Sequence, residues 1–159
     1  MHRILEILEK NNGLTSEQIA VMLNLEATDV QAAIDQFIEE GVIIGKKTVI
    51  NWQKTKRDMV TAFIELRVTP HVGKGFDQIA ERIYNYEQVK SVYLMSGSFD
   101  LALIIEGKTL TEVALFVAEK LAPMDSVLST ATHFVLKKYK EDGLMFVHKT
   151  KDQREMITL

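Results

Sequence analysis

Val92-Tyr93-Leu94-Met95-Ser96-Gly97-Ser98-Phe99-Asp100-Leu101-Ala102-Leu103-Ile104-Ile105 is the stretch on which the fold turns. Val92 and Leu94 alternate with Tyr93 and Met95; Leu101, Leu103 and Ile105 alternate with Ala102 and Ile104. Period-two alternation on both sides of a short Ser/Gly segment predicts two strands joined by a turn. The turn sets a glycine and a carboxylate, Gly97 and Asp100, at the lip of an otherwise apolar sheet. Nothing in such a sheet requires an acid there, so Asp100 asks for a functional account.

Working outward, Val60, Ala62, Ile64, Leu66 and Val68 alternate with Thr61, Phe63, Glu65, Arg67 and Thr69, and Pro70 ends that strand. Phe76, Ile79, Ala80, Ile83 and Tyr84 form a helical stripe, as do Leu110, Val113, Ala114, Val117 and Leu121, which stops at Ala122-Pro123. Leu128, Thr130, Thr132, Phe134 and Leu136 alternate with Val127, Ser129, Ala131, His133 and Val135 in a last strand. The order over residues 60–136 is βαββαβ. That order predicts a ferredoxin-like sandwich of four antiparallel strands with both helices on one face. The other face would carry Phe63, Tyr93, Met95, Ala102 and Ile104, too apolar for water. We expect it to pack on the same face of a second copy, a twofold homodimer being the commonest solution.

Residues 1–50 read as a second unit. Ile4, Leu5, Ile7 and Leu8 give a short helix ended by Asn11-Asn12-Gly13, where glycine is free to take a positive φ. Thr15 or Ser16 caps a second helix with Ile19, Ala20 and Leu23 buried. Asn24-Leu25-Glu26 turns into a third, with Val30, Ala33, Ile34, Phe37 and Ile38 on one face and Gly41 as its stop. Residues 42–44 and 48–50 would form a hairpin around Gly45-Lys46-Lys47. A three-residue turn between the second and third helices is helix-turn-helix spacing. The exposed candidates for base contact are Thr28, Asp29, Gln31, Ala32, Asp35 and Gln36. This helix holds four acids and no Lys or Arg, so phosphate contacts fall to Lys46 and Lys47, then Lys54, Lys56 and Arg57. Residues 51–59 read as a polar linker, with Trp52 packing where it meets a domain or a partner chain.

Composition narrows the class. Of 159 residues, 47% are apolar, enough for packed cores. There is no Cys, which excludes disulfides and thiolate metal sites and suits a reducing cytoplasm. No apolar run has the length of a membrane span, and no signal-peptide core follows Met1. A net charge of −3 argues against indiscriminate nucleic-acid binding but leaves room for a local basic patch. Five of the seven Lys/Arg in residues 1–57 lie between 46 and 57.

The chain resembles the Lrp/AsnC (feast/famine) family of prokaryotic transcription regulators over about residues 1–140. The resemblance rests on Gly97-Ser98-Phe99-Asp100-Leu101, on Thr130-Ala131-Thr132, and on Ile38-Glu39-Glu40-Gly41-Val42-Ile43. It implies an α+β chain. A winged helix-turn-helix would span 1–50, a linker 51–59 and a ferredoxin-like (RAM-type) effector and oligomerisation domain 60–140, with a tail at 141–159 that carries no motif we read. Three departures stand out. The third helix is acidic where the family carries arginines, Glu26 replaces the serine that caps it, and the first helix starts almost at Met1.

The resemblance implies double-stranded DNA as one partner and a small effector, an amino acid, as another, held at contacts between subunits of a homodimer or higher oligomer. A carboxylate can take an ammonium group, and N–H groups of a glycine turn can take a carboxylate. Gly97, Ser98, Phe99 and Asp100 would supply that pairing, Thr130 and Thr132 would add hydroxyls, and Gly73 and Gly75 would let a loop approach closely. Two plainer readings stay open: Asp100 as a turn residue capping local N–H groups, and the threonines as ordinary strand formers. No cofactor, metal or membrane is expected. The four histidines are scattered, and neither a nucleophile elbow nor a phosphate-binding glycine loop is present. An amino-acid-binding module that has lost DNA binding is the alternative.

Overall fold

The computed structural model describes residues 2–70 and 75–146, so Gly73 and residues 147–159 of the tail lie outside the described residues. Its contacts divide the chain into two units, Met1–Val49 and Ile50–Leu159.

The first unit holds α1 (His2–Lys10), α2 (Ser16–Leu23) and α3 (Ala27–Glu39). Ile4, Leu8, Ile19, Ala20, Val30, Ala33, Ile34 and Phe37 form its core. Thr15 and Gln18 make a reciprocal capping box at the start of α2. Asn24 closes α2 in the left-handed region at φ 54°, which sets up the three-residue turn into α3. Gly41 takes φ 70°, and Val42 and Ile43 N–H groups both donate to Phe37 O, which stops α3 as expected. Two local expectations fail. Gly13 is not left-handed; its N–H donates to Asn11 Oδ1, so a side-chain turn replaces the glycine turn. Residues 42–50 form no ladder of paired strands. Two isolated strands are marginal, and Ile44 is 96% exposed, so no packed apolar face supports them. The segment is held instead by Ile43 on the core and by Asn12 Nδ2 donating to Lys47 O.

The second unit is the expected sandwich. β1 (Val60–Val68), α4 (Asp77–Tyr84), β2 (Val89–Leu94), β3 (Leu101–Gly107), α5 (Leu110–Phe116) and β4 (Val127–Phe134) follow in order. The antiparallel sheet runs β2-β3-β1-β4. Ala62, Ile64, Leu66, Leu103 and Ile105 are buried with Ile79 and Ile83 of α4 and Val113 and Phe116 of α5. Each of the larger side chains contributes about 1.5–3 kcal/mol through burial, Ala62 less. α5 runs on into a π-helical turn over Val117–Leu121, which carries Val117 and Leu121 into the core.

Two bulges adjust the alternation read from the sequence. Arg67 pairs with Ser129 but Val68 pairs with Val127, so Leu128 has no partner and stands 69% exposed. Val127 then turns onto the core, the reverse of the expected pair. The register between Val89 and Ser91 shifts likewise.

The face away from the helices is ordered in cross-strand rows. Ser91, Ile104, Phe63 and His133 make one; Tyr93, Ala102, Glu65 and Ala131 make the next. Tyr93 is 54% exposed and Phe63 and Ile104 are half-buried, but Ala102 is fully covered because a methyl group sits below its neighbours. The Thr61 end of this face is not open. Ile50, Trp52, Val135, Lys138 and Phe146 gather there, and Asn51 Nδ2 donates to Phe146 O. The segment expected as a linker therefore begins as packed structure: Trp52–Lys54 is a turn of 3₁₀-helix, and Arg57 lies 4.5 Å from the centre of the Trp52 ring. A small hairpin, β5 (Lys140–Glu141) and β6 (Leu144–Met145), closes on Asp142 (φ 48°) and Gly143 (φ 79°). The Asp-Gly pair signals this turn in the sequence.

Candidate functional site

Two surfaces carry the candidate residues. On α3, Thr28, Asp29, Gln31, Ala32, Asp35 and Gln36 are all exposed on one side, opposite the buried Val30, Ala33, Ile34 and Phe37. Gln31 Nε2 donates to Asp35 Oδ1 at 2.8 Å and Gln36 Nε2 to Glu40 Oε1 at 2.7 Å. Both amides would have to leave these partners to meet a base edge. Glu26 stands at the N-cap without a side-chain hydrogen bond, as its long chain and charge lead one to expect. On α2, the Thr15 hydroxyl and then its own backbone N–H hold the Glu17 carboxyl below the usual carboxylate range. Lys46 and Lys47 are exposed. Arg57, by contrast, is occupied on Trp52.

The second surface is the loop between β2 and β3. Four hydrogen bonds hold its base. Met95 N–H donates to Asp100 O at 2.8 Å and Asp100 N–H to Leu66 O at 2.9 Å. Val68 N–H donates to Asp100 Oδ2 at 2.8 Å, and Arg67 Nε donates to Ser98 O at 2.8 Å. Asp100 is thus a local cap, the plainer of its two readings, with one carboxylate oxygen engaged. Gly97 takes φ 147°, a conformation in which a side chain is strained. Phe99 turns onto the open face and meets Phe63 edge to face, 6.1 Å between ring centres at 79°. Ser96, Gly97 and Ser98 are exposed.

The fold does not bring Thr130 and Thr132 to this loop. Directly paired residues share a face, and these pair with Leu66 and Ile64 on the helix-covered side. Strand β1 also stands between them and β3, so Thr130 and Leu101 are two strand spacings apart, roughly 10 Å. The strand order and the register decide this, and the alternation within one strand carries neither. What the sequence reading missed is Arg67, which the register sets beside Asp100. A cleft of about 630 Å³ lined by Met59, Lys90, Glu106, Gly107 and Lys108 lies at the opposite end of the sheet, away from the loop.

A helix-turn-helix unit joined to a small α/β sandwich with a polar loop at its rim defines a DNA-binding regulator with a sensing module. Residues 61–145 match the Lrp/AsnC ligand binding domain, and residues 2–44 match a winged helix-turn-helix DNA-binding domain. The chain belongs to the Lrp/AsnC family of DNA-binding transcription regulators.

The uncharacterized HTH-type transcriptional regulator YugG of Bacillus subtilis (strain 168) is 46% identical over 156 residues, 98% of this chain and 94% of the relative. The proline dehydrogenase transcriptional activator of Rhizobium radiobacter is 25% identical over 142 residues, 89% of this chain and 90% of the relative. Among solved structures, the transcriptional regulator NMB0573/L-Met complex of Neisseria meningitidis superposes with a TM-score of 0.69 at 20% identity, covering 87% of this chain and 88% of that one. Among the described residues no helix is long and apolar enough to cross a membrane.

Proposed function

We propose that this regulator changes its DNA binding when an amino acid occupies the loop Gly97–Asp100, in an assembly built by packing the open sheet faces of two copies. The observation that carries the reading is the anchored loop. A carboxylate and a left-handed glycine are fixed at the edge of an apolar face that also carries Phe99, so packing that face would wall in the loop. The loop alone is open surface, which is why the assembly belongs to the reading. A structural neighbour solved with L-Met supports the ligand class, and the relative named as a proline dehydrogenase transcriptional activator is itself a regulator of transcription. Base contacts fall to the exposed side of α3, and phosphate contacts to Lys46 and Lys47. Action on DNA places the protein in the cytoplasm.

The test has two stages. Thermal shifts are recorded with each of the twenty amino acids, since a ligand bound only by the folded state raises the melting temperature. A gel shift on the DNA upstream of the chain's own coding sequence is then run with and without each hit. No thermal shift with any amino acid removes the sensing half.

Asp100→Ala is expected to keep DNA binding and lose the effector response. It also frees Val68 N–H from its partner, at a cost of about 1–3 kcal/mol. A response equal to that of the unmodified chain would take Asp100 out of the site.

A second reading has its own observation: α3 holds no Lys or Arg, and its glutamines are bonded to acids. The chain would then be an amino-acid-binding module without DNA affinity. No retardation at low salt, where phosphate contacts are strongest, would favour it.

A further inference from the structure

We infer that Arg67 receives the carboxylate of the effector, which makes it a binding residue of the loop site; this rests on the amino-acid reading above. Arg67 ends the row of β1 residues on the open face, after Phe63 and Glu65, and is exposed. Its Nε donates to Ser98 O at 2.8 Å, so the guanidinium is tethered to the same loop as Asp100. The tether uses one of five donors and leaves the two terminal nitrogens, the pair that grips a carboxylate side by side. Asp100 is tied to the neighbouring residues of the same strand: its N–H donates to Leu66 O, and its Oδ2 accepts from Val68 N–H.

A cation and an anion are therefore both anchored at one rim, yet among the described residues they form no ion pair with each other. An α-amino acid carries ammonium and carboxylate on one carbon. It needs opposite charges that are adjacent, fixed by other bonds, and not already satisfied by contact with each other. Arg67 and Asp100 meet all three conditions. Backbone N–H groups of the glycine turn alone would bind a carboxylate with less discrimination, because they carry no net charge.

The experiment measures selectivity, which loop support alone would leave unmoved. Calorimetry compares each amino acid that shifts the melting temperature with its primary amide, on the unmodified chain, Arg67→Met and Arg67→Lys. On the unmodified chain the acid is expected to bind roughly tenfold to a hundredfold tighter than the amide, the range of a charged hydrogen-bonded contact. Arg67→Met is expected to bring that ratio to within about threefold, and Arg67→Lys, which keeps the charge but loses the fork, to restore part of it. If both variants weaken acid and amide alike, Arg67 only supports the loop and the inference is overturned. An unchanged ratio in Arg67→Met overturns it as well. If the unmodified chain binds none of the twenty amino acids, the effector reading itself falls, an outcome separate from any result on the variants.

Discussion

A Phe63→Asp chain is expected to sediment as a single folded subunit at micromolar concentration, and the unmodified chain as a dimer or larger. Phe63 lies on a central strand, between Ile104 and His133 in a cross-strand row, and touches Phe99 at the rim. If two copies pack by this face, the substitution buries two carboxylates near a twofold axis without partners. Unpaired buried charges cost about 3–5 kcal/mol, so the dissociation constant should rise by roughly a thousandfold or more. The fold itself should survive, because Phe63 is half-buried on the side away from Ile64, Leu66 and Leu103. Sedimentation with a circular dichroism check reads both. A folded variant that still dimerises with the original affinity would show that the faces do not meet. Loss of assembly should also carry loss of amino-acid binding, since one subunit leaves the loop open.

Replacing Lys46 and Lys47 by Ala together should lower affinity for the chain's upstream DNA by about tenfold to a hundredfold near 0.1 M salt. The slope of log affinity against log salt should become shallower by roughly two, one for each phosphate contact removed. The two lysines are exposed at the end of the first unit, and Asn12 holds the backbone of Lys47. Nothing in the core depends on their side chains, so stability should not change. The acidic α3 raises the stakes. With no cation on that helix, few other groups of the first unit can meet phosphate. Equal affinity and equal salt slope in the double variant would move the phosphate contacts elsewhere.

Much of this was legible in the residues. The alternation of Val60 to Val68, the helical stripes and the order βαββαβ lead to the sheet that forms, and the capping pair Thr15 and Gln18 and the stop at Gly41 lead to the helices of the first unit. Asp142-Gly143 was legible too, as a two-residue turn, although its segment was set aside as tail. The failures are of another kind. Leu128 and Val127 exchange roles because one residue is left over in the ladder, and a bulge depends on how two distant strands meet. Thr130 and Thr132 are within one strand of a plausible site in the sequence pattern, but the register seats them under the helices.

By itself the sequence determined the helices and the four main strands with most of their faces, because periodicity and caps are local; the hairpin expected over residues 42–50 and the glycine turn at Gly13 did not form. It likewise marked Asp100 as an acid without a structural duty at the level of one strand. Only the tertiary structure decided that this acid caps Val68, that Arg67 stands beside it, and that the threonines do not. Those relations join residues about thirty to seventy positions apart. Strand register sets them, and a shift of one residue turns every side chain of a strand to the other face.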